Sequence, residues 1–170
     1  AVRVYMGLRS VMAYTVDKSE RGLLRCAEHA AEALGQGSAQ MEIVLNETVL
    51  ADRHPVALRP CDASNAEKIE LLKDGYFAAR NYHEAIRQVS AGLGDTDRQI
   101  LVANSDGLYV QDRQSRLRMT VAAVAEINGQ TQTGTFTPGS RLGLEFFRQQ
   151  DPRQAGIRAA EQAVTMAGAD

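Results

Sequence analysis

Three histidines are the side chains of this 170-residue chain that most directly suggest a metal site, because imidazole is the commonest metal ligand in proteins. His29, His54 and His83 are far apart in the sequence, and no His-x-x-x-His or His-Glu-x-x-His spacing would pair two of them on a helix. His29 falls on the exposed side of a predicted helix, and His54 precedes Pro55 in a predicted loop. We therefore interpret the histidines as surface or structural residues.

The two cysteines form neither a metal-ligand pair nor a disulfide framework. Cys26 falls on a predicted helix, and Cys61 falls in a predicted loop. This placement favours two reduced thiols in a cytoplasmic protein.

The segment NSDG is a candidate calcium loop. Asn104, Asp106 and Gly107 match the third, fifth and sixth positions of an EF-hand loop. The first and twelfth positions, which require carboxylates, would be Val102 and Arg113. Calcium therefore does not fit, and a turn relieved by Asx side chains and glycine is predicted instead.

Acidic and basic side chains near the middle of the chain are further candidates for chemistry. Asp95 and Asp97 could act as an acid–base pair, but within one loop they are better explained as turn carboxylates. Arg113, Arg116 and Arg118 could form a basic patch, although their spacing on a strand favours a solvated face.

Neither a phosphate-binding loop nor an exposed serine nucleophile is predicted. The stretch GLGDTD has Asp97 where a third glycine would be needed, and GQG follows a helix instead of opening one. The GxSxG motif is absent. The sequence thus predicts no catalytic, cofactor-binding or metal-binding residue in this chain.

Composition argues against two classes of partner. The formal net charge is −2, and aromatic residues make up 5% of the chain, with no tryptophan. This gives neither a basic footprint for nucleic acid nor an aromatic platform for stacking bases. No window approaches the roughly 18 apolar residues that span a bilayer. We expect neither a membrane nor nucleic acid as a partner.

The first part of the chain predicts a hairpin, a helix and a connecting arm. Alternation from Val2 to Met6 and again from Val11 indicates the hairpin, and Asp17 and Glu20 have the spacing of a helix capping box. Gly35 suits a left-handed stop. The arm, residues 36–60, includes a possible short strand, MEIVL. The apolar face of the helix would comprise Leu23, Leu24, Ala27, Ala31 and Leu34.

Two further helices follow from capping signals. Ser64 and Glu67 form a capping box, although Gly75 weakens the helix by about 1 kcal/mol relative to alanine. Asp151 can cap the last helix, with Pro152 at its first position. The predicted apolar faces are Ile69, Leu72, Tyr76 and Ala79 in one helix and Ile157, Ala160, Val164 and Ala167 in the other.

Residues 85–137 contain β-rich runs that DTD, SDG and RQ separate, and Asn128-Gly129 predicts a type I′ hairpin. We predict an α+β fold in which helices pack on one face of an antiparallel meander sheet, in a single domain of residues 1–170. On the long strand, the buried face would hold Leu117, Met119, Val121, Ala123, Ala125 and Ile127, and the wet face Arg116, Arg118, Thr120 and Glu126.

Residues 97–147 resemble the N-terminal domain of the TldD/PmbA family, whose members are described as modulators of DNA gyrase. A family strand like EVLIANSEGL corresponds to residues 99–108, an Arg-bearing strand to 116–126, and a GxxQTG-type segment to 129–134. The PCDAS loop, the EKIELLK helix and the opening stretch also fit, more loosely over 36–60. The segments ANSDGLYVQD and QTGTFTPGSRLGLEFF are closer to the TldD branch than to the PmbA branch.

The resemblance implies a cytoplasmic zinc metallopeptidase system that acts on peptides, in peptide-antibiotic maturation and antitoxin turnover. The family's zinc motif, His-Glu-x-x-x-His, lies in a C-terminal domain that this sequence would not include. We therefore expect a non-catalytic N-terminal scaffold domain, shortened at its start and holding no zinc. Its expected partners are its own C-terminal domain, a second subunit in a homodimer or TldD–PmbA heterodimer, and a peptide substrate.

The hairpin at residues 98–112 would supply sheet continuity or an edge that pairs with an extended peptide. An alternative is a protein-binding module that recognises a partner such as DNA gyrase and has no peptidase role.

Overall fold

The computed structural model describes residues 1–35 and 42–169, and the chain divides into two compact units, Ala1–Val44 and Leu45–Asp170. Part of the predicted GQG and MEIVL segments lies outside the described residues. None of the helices in the described ranges is long and apolar enough to cross a bilayer.

The first unit contains the predicted hairpin and helix. Strands β1, Val2–Met6, and β2, Arg9–Ala13, pair antiparallel, and helix α1 spans Glu20–Glu32. Ser19, rather than Asp17, caps the helix, because its hydroxyl accepts a hydrogen bond from the Gly22 amide. The Asp17 carboxylate instead accepts from the amide of Ser19 itself.

The predicted apolar face of α1 is wrong at two of its five positions, and Ala27 and Ala31 are partly buried. Leu23 and Leu24 are exposed, whereas Leu34 is buried as predicted and Gly35 has the predicted positive φ of 73°. Residues at a spacing of four form the buried stripe, and the first three are small, which allows the helix to approach its neighbours closely. The stripe comprises Gly22, Cys26, Ala30 and Leu34.

The second unit is a five-stranded sheet with helices on one face. Its strands are β3, Asn46–Thr48, β4, Ile86–Ala103, β5, Leu108–Ile127, β6, Gln130–Phe136, and β7, Gly139–Ser140. Its helices are a 3₁₀ turn at Pro60–Asp62, α2, Asn65–Arg80, α3, Phe146–Gln149, and α4, Pro152–Ala167. The described part of MEIVL is not a strand. The strand in this region is β3, at Asn46–Thr48, because these residues pair with the start of β5.

Strand β5 is the centre of the sheet. It pairs antiparallel with β4 on one side, and on the other with antiparallel β6 and β7 and parallel β3. The sequential order β4–β5–β6 confirms the predicted α+β meander. The predicted breaks at DTD and RQ are wrong, because β4 and β5 run continuously through them and pair over their full length.

Two turns of this sheet form as predicted. Asn104 Oδ1 accepts hydrogen bonds from the amides of Asp106, at 3.1 Å, and Leu108, at 3.0 Å. Asn128 and Gly129 have φ values of 52° and 81°, which are the positive values that a type I′ turn requires. Local side-chain chemistry therefore fixes both ends of β5.

The buried face of β5 carries the core. Leu117, Met119, Val121, Ala123 and Ala125 are buried as predicted, while Ile127 is partly buried against them. Helices α2 and α4 cover this face. The capping box of α2 and the Asp151 cap and Pro152 start of α4 are confirmed.

Small residues dominate the buried faces of both helices. In α2, Ile69 and Tyr76 are exposed, contrary to the prediction, and Gly75 and Ala79 are buried. The α4 stripe is broader than predicted: Ala160 and Ala167 are fully covered, Ile157 and Val164 only partly. The stripe also includes Pro152, Ala155, Gly156, Ala159 and Ala163.

The helices and strands approach each other closely at two glycines. A Cβ atom on Gly156 of α4 would lie 2.0 Å from the Gly75 carbonyl oxygen of α2 and 2.8 Å from the Ala79 amide nitrogen. A Cβ atom on Gly134 of β6 would lie 2.1 Å from the Ala159 carbonyl oxygen. Only glycine permits these two backbone contacts.

Candidate functional site

Polar side chains occupy the helix-covered face of the sheet where the apolar core ends. Asp95 pairs in register with Leu117, and Asp97 with Ser115, so all four side chains lie on this face. Asp95 forms a 2.8 Å ion pair with Lys68 of α2. The two aspartates are therefore strand residues with different partners. The prediction that they are turn carboxylates is wrong.

Asp97 is held by Arg113 from the adjacent strand. The Arg113 Nε donates to Asp97 Oδ1 at 2.8 Å, and its Nη2 donates to Oδ2. Arg113 thus lies on the covered side of β5, whereas Arg116 and Arg118 are exposed on the other side. All three arginines are exposed, as predicted, although Arg113 lies on the covered side of β5 and pairs with Asp97 across the two strands.

Cys61 completes this group from the 3₁₀ turn. Its thiol donates to Asp97 Oδ2 at 3.2 Å, and this hydrogen bond raises the pKa of Cys61. The hydrogen bonds from Arg113, with the one from Cys61, lower the pKa of Asp97 to about 2. At neutral pH the thiol is therefore protonated and the carboxylate ionised, which suits neither a nucleophile nor a general acid.

A carboxylate clasp holds residues 45–59, the part of the arm that leads into the 3₁₀ turn, and we keep the name arm for these residues alone. Glu145 accepts hydrogen bonds from the backbone amides of Ala57 at 3.0 Å, Leu58 at 2.9 Å and Gly143 at 3.0 Å. Burial raises the pKa of Glu145, but these backbone donors outweigh burial and leave the pKa lowered. The clasp fixes the arm beside the sheet.

Two adjoining cavities lie between the arm and β5, and we call them together the Ser115 cavity. The larger has a volume of about 410 Å³ and the smaller about 130 Å³. Both are lined by Asp52, His54, Arg113 and Ser115. The larger adds Leu50, Ala51, Arg53, Asp112, Gln114 and Arg141, and the smaller adds Val56, Arg59 and Asp97.

Of the other residues that the sequence singled out, His54 is an exposed arm residue that lines both parts of the Ser115 cavity. His83 is exposed, and its Nδ1 accepts from the Ala85 amide at 3.0 Å. His29 and Cys26 line a different cavity, of about 320 Å³, in the first unit. Across residues 1–35 and 42–169, no three His, Cys, Asp or Glu side chains meet in an arrangement that could hold a metal ion.

Ser115 and Arg59 are residues of this site that the sequence interpretation missed. Ser115 begins the alternation of buried residues that continues with Leu117 and Met119. The period of two therefore predicts a buried hydroxyl at this position. No pattern in the sequence marks Arg59, because the arm has no hydrophobic periodicity. The contacts of Glu145 with Ala57 and Leu58, distant in sequence, fix the position of this segment.

The Asp97–Arg113 pair predicts how stability changes with pH. The pKa of Asp97 is lowered to about 2 from a usual 3.8, so the pair stabilises the fold above about pH 4 and its contribution is lost as pH falls towards 2. We expect the difference in thermal midpoint between the wild type and Asp97→Asn to shrink over this range. An Asp106→Asn control removes an exposed carboxylate instead, and an equal shrinkage there would contradict the prediction.

Comparison with known proteins identifies the family of this chain. The family model described as the PmbA/TldA metallopeptidase central domain matches residues 58–167, which extend from just before the 3₁₀ turn to the end of α4. A protein from Buchnera aphidicola (subsp. Acyrthosiphon pisum) named a metalloprotease TldD homolog is 29% identical over 161 residues. These cover 92% of this chain and 32% of that protein.

A second relative, a metalloprotease TldD homolog from Haemophilus influenzae, is 28% identical over 170 residues, or 98% of this chain and 35% of its own length. The chain thus spans about a third of the length of these curated relatives. The family description calls the matched domain central, whereas the sequence led us to expect an N-terminal domain.

Solved structures share the fold. A proposed modulator of a DNA gyrase from Thermotoga maritima superposes with a TM-score of 0.66 at 20% identity, covering 86% of this chain and 33% of that one. One from Bacteroides thetaiotaomicron gives 0.72 at 14% identity, covering 99% of this chain and 39% of that one. The resemblance seen in the sequence is confirmed: this chain belongs to the PmbA/TldA metallopeptidase family.

Proposed function

We propose that this chain is the non-catalytic framework domain of a cytoplasmic TldD/PmbA-type zinc metallopeptidase that acts on peptides. The observation that carries the proposal is the match of residues 58–167, most of the helix-backed sheet, to a domain of a metallopeptidase family. The described residues do not fit a zinc site, so no step of the reaction is assigned to zinc here.

The protonation states on the covered face support a framework role. Asp95 forms an ion pair with Lys68, and Asp97 forms one with Arg113. The pKa of the Cys61 thiol is raised. A general acid or base needs a pKa near the working pH, and a thiol nucleophile needs a lowered one. The Cys61–Asp97–Arg113 group therefore stabilises the arm against the sheet and has no reactive member.

The exposed edge of β4 supports contact with a peptide. Within the described part of the second unit, β4 is an 18-residue strand that pairs with β5 alone. An unpaired strand edge offers backbone donors and acceptors to an extended chain of any sequence. In this proposal the remaining partners are the protein's own C-terminal domain and a second subunit, either identical or of the other branch.

A metal and activity measurement tests the framework role. We expect the purified 170-residue chain to contain less than about one zinc per ten molecules and to leave unfolded peptides intact, since its described residues gather no ligand set. The same assays on the whole protein provide the comparison. One tightly held zinc per 170-residue chain, or peptide cleavage by it, would overturn the proposal.

A protein-binding module is the second candidate function. The two structural neighbours named above are proposed modulators of DNA gyrase, and the hairpin tip of this chain exposes apolar side chains, with Leu101 57% exposed. A gyrase pull-down with the whole protein and with a Leu101→Asp variant separates the two functions. If the wild-type protein captures gyrase and the Leu101→Asp variant does not, the binding module is favoured. If the wild-type protein captures no gyrase, this candidate function is excluded.

A further inference from the structure

The Ser115 cavity contains a buried hydroxyl group without a partner. Ser115 is only 8% exposed, and its Oγ has no hydrogen-bond partner among the described residues. Buried polar groups are nearly always hydrogen-bonded, because an unpaired hydroxyl loses its bonds to water and gains nothing in return. Ser115 also lines both cavities, so a ligand bound there would lie beside this residue.

The residues that line the two cavities include more basic than acidic side chains. Arg113 is matched by Asp97. The side chains of Arg53, Arg59 and Arg141 make no hydrogen bond or ion pair within residues 1–35 and 42–169, and Asp52 is a further acidic residue common to both cavities. An excess of positive charge on the walls favours an anionic ligand.

The volume of the cavity and its hydrogen-bond donors indicate the chemical class of the ligand. The larger cavity, of about 410 Å³, falls within the roughly 300–1,000 Å³ of small-molecule sites, and Arg59 lines the smaller cavity of about 130 Å³ that adjoins it. Guanidinium groups bind carboxylates through paired N–H donors, and a serine hydroxyl can donate one more bond to the same group. The smaller cavity brings Arg59 and Ser115 together, beside the rigid Asp97–Arg113 pair.

We propose that the Ser115 cavity binds the carboxylate group of a small ligand, with Arg59 and Ser115 as its contacts. The ligand would be either the carboxyl terminus of a short peptide or a free monocarboxylic acid. The site does not depend on the framework role, because it needs only the arm, β5 and the Glu145 clasp that positions the arm.

Titration calorimetry of the full chain tests the site. The probes are acetate, N-acetyl-trialanine and N-acetyl-trialanine amide, which lacks the carboxylate. We expect Arg59→Gln and Ser115→Ala each to weaken carboxylate binding about tenfold or more, as expected for loss of a hydrogen bond to a charged group. Arg116→Gln, a matched control on the exposed face of β5, should change binding less than twofold.

Thermal unfolding of the same variants separates binding from folding. Ser115→Ala removes an unpaired hydroxyl and should leave the unfolding midpoint unchanged or higher, so weakened binding would not reflect unfolding. Saturable binding of N-acetyl-trialanine alone would identify a peptide carboxyl terminus as the ligand, and binding of acetate alone would identify a free acid. Binding of both would show that the carboxylate group suffices.

Four results would overturn the proposal. They are absence of saturable binding by either carboxylate, equal binding of the amide, wild-type affinity in both the Arg59→Gln and Ser115→Ala variants, and tighter binding of inorganic phosphate than of acetate.

Discussion

Replacing Gly156 with alanine is expected to lower the free energy of unfolding by about 2 to 3 kcal/mol, which is the cost of overpacking a tight interface. The new Cβ would lie 2.0 Å from the Gly75 carbonyl oxygen, and both atoms belong to rigid helices. No rotamer change relieves this contact, so α4 must move away from α2 and lose packing along the whole crossing. Urea unfolding followed by circular dichroism measures the effect.

This prediction differs in sign from the one that helix propensity alone gives. Alanine in place of glycine in a helix interior is favourable by about 1 kcal/mol, so a stabilised Gly156→Ala protein would contradict the packing argument. Gly92→Ala is the matched control. A Cβ atom on Gly92 of β4 meets nothing within 4 Å, and the change should stay within about 0.5 kcal/mol.

Replacing Met119 with alanine is expected to cost about 3 kcal/mol, within the range of about 2 to 5 kcal/mol for such truncations in cores. Met119 is 0% exposed and is among the largest fully buried side chains of the described residues. It lies under α2, where a Cβ atom on Gly75 would meet its Cε at 2.6 Å. Truncation therefore leaves a cavity between the sheet and the helix.

Two further variants show whether the cost comes from that cavity. Met166→Ala truncates a methionine of α4 that is 44% exposed, and it should change stability by less than about 0.5 kcal/mol. Gly75→Ala places a methyl group 2.6 Å from the position of Met119 Cε, where it would partly fill the cavity, so the double variant should cost less than the sum of the single variants. Strict additivity would indicate that the sheet and α2 had collapsed onto each other.

The features that were predictable from the sequence are those that depend on neighbours along the chain. The Ser64–Glu67 capping box, the Asp151 cap and the Asn128-Gly129 turn each need only three or four consecutive residues. The alternation on β5 is similarly local, because one buried face imposes a period of two. These signals were sufficient to give the α+β class and the order of most elements.

Contacts between distant segments explain what the sequence did not reveal. The stretch around Asp95 and Asp97 has the composition of a turn, yet pairing with Lys68 and Arg113 allows it to stay in a strand. Similarly, the predicted apolar face of α4 omitted most of its buried small residues, because the sequence does not show how closely α2 approaches. The Ser115 cavity was hidden for the same reason, since its arm is fixed by Glu145, more than 80 positions away.

The lengths of β4 and β5 imply a gradient of amide hydrogen exchange along the hairpin. Residues 117–125 of β5 lie under helices, whereas the hairpin tip near Leu101 and Leu108 is exposed. Amides at the covered end should exchange with deuterium only when the whole unit opens, and those near the tip through brief local fraying. A molecule that binds to the tip should therefore slow deuterium exchange of the tip amides and leave the exchange of amides at the covered end unchanged.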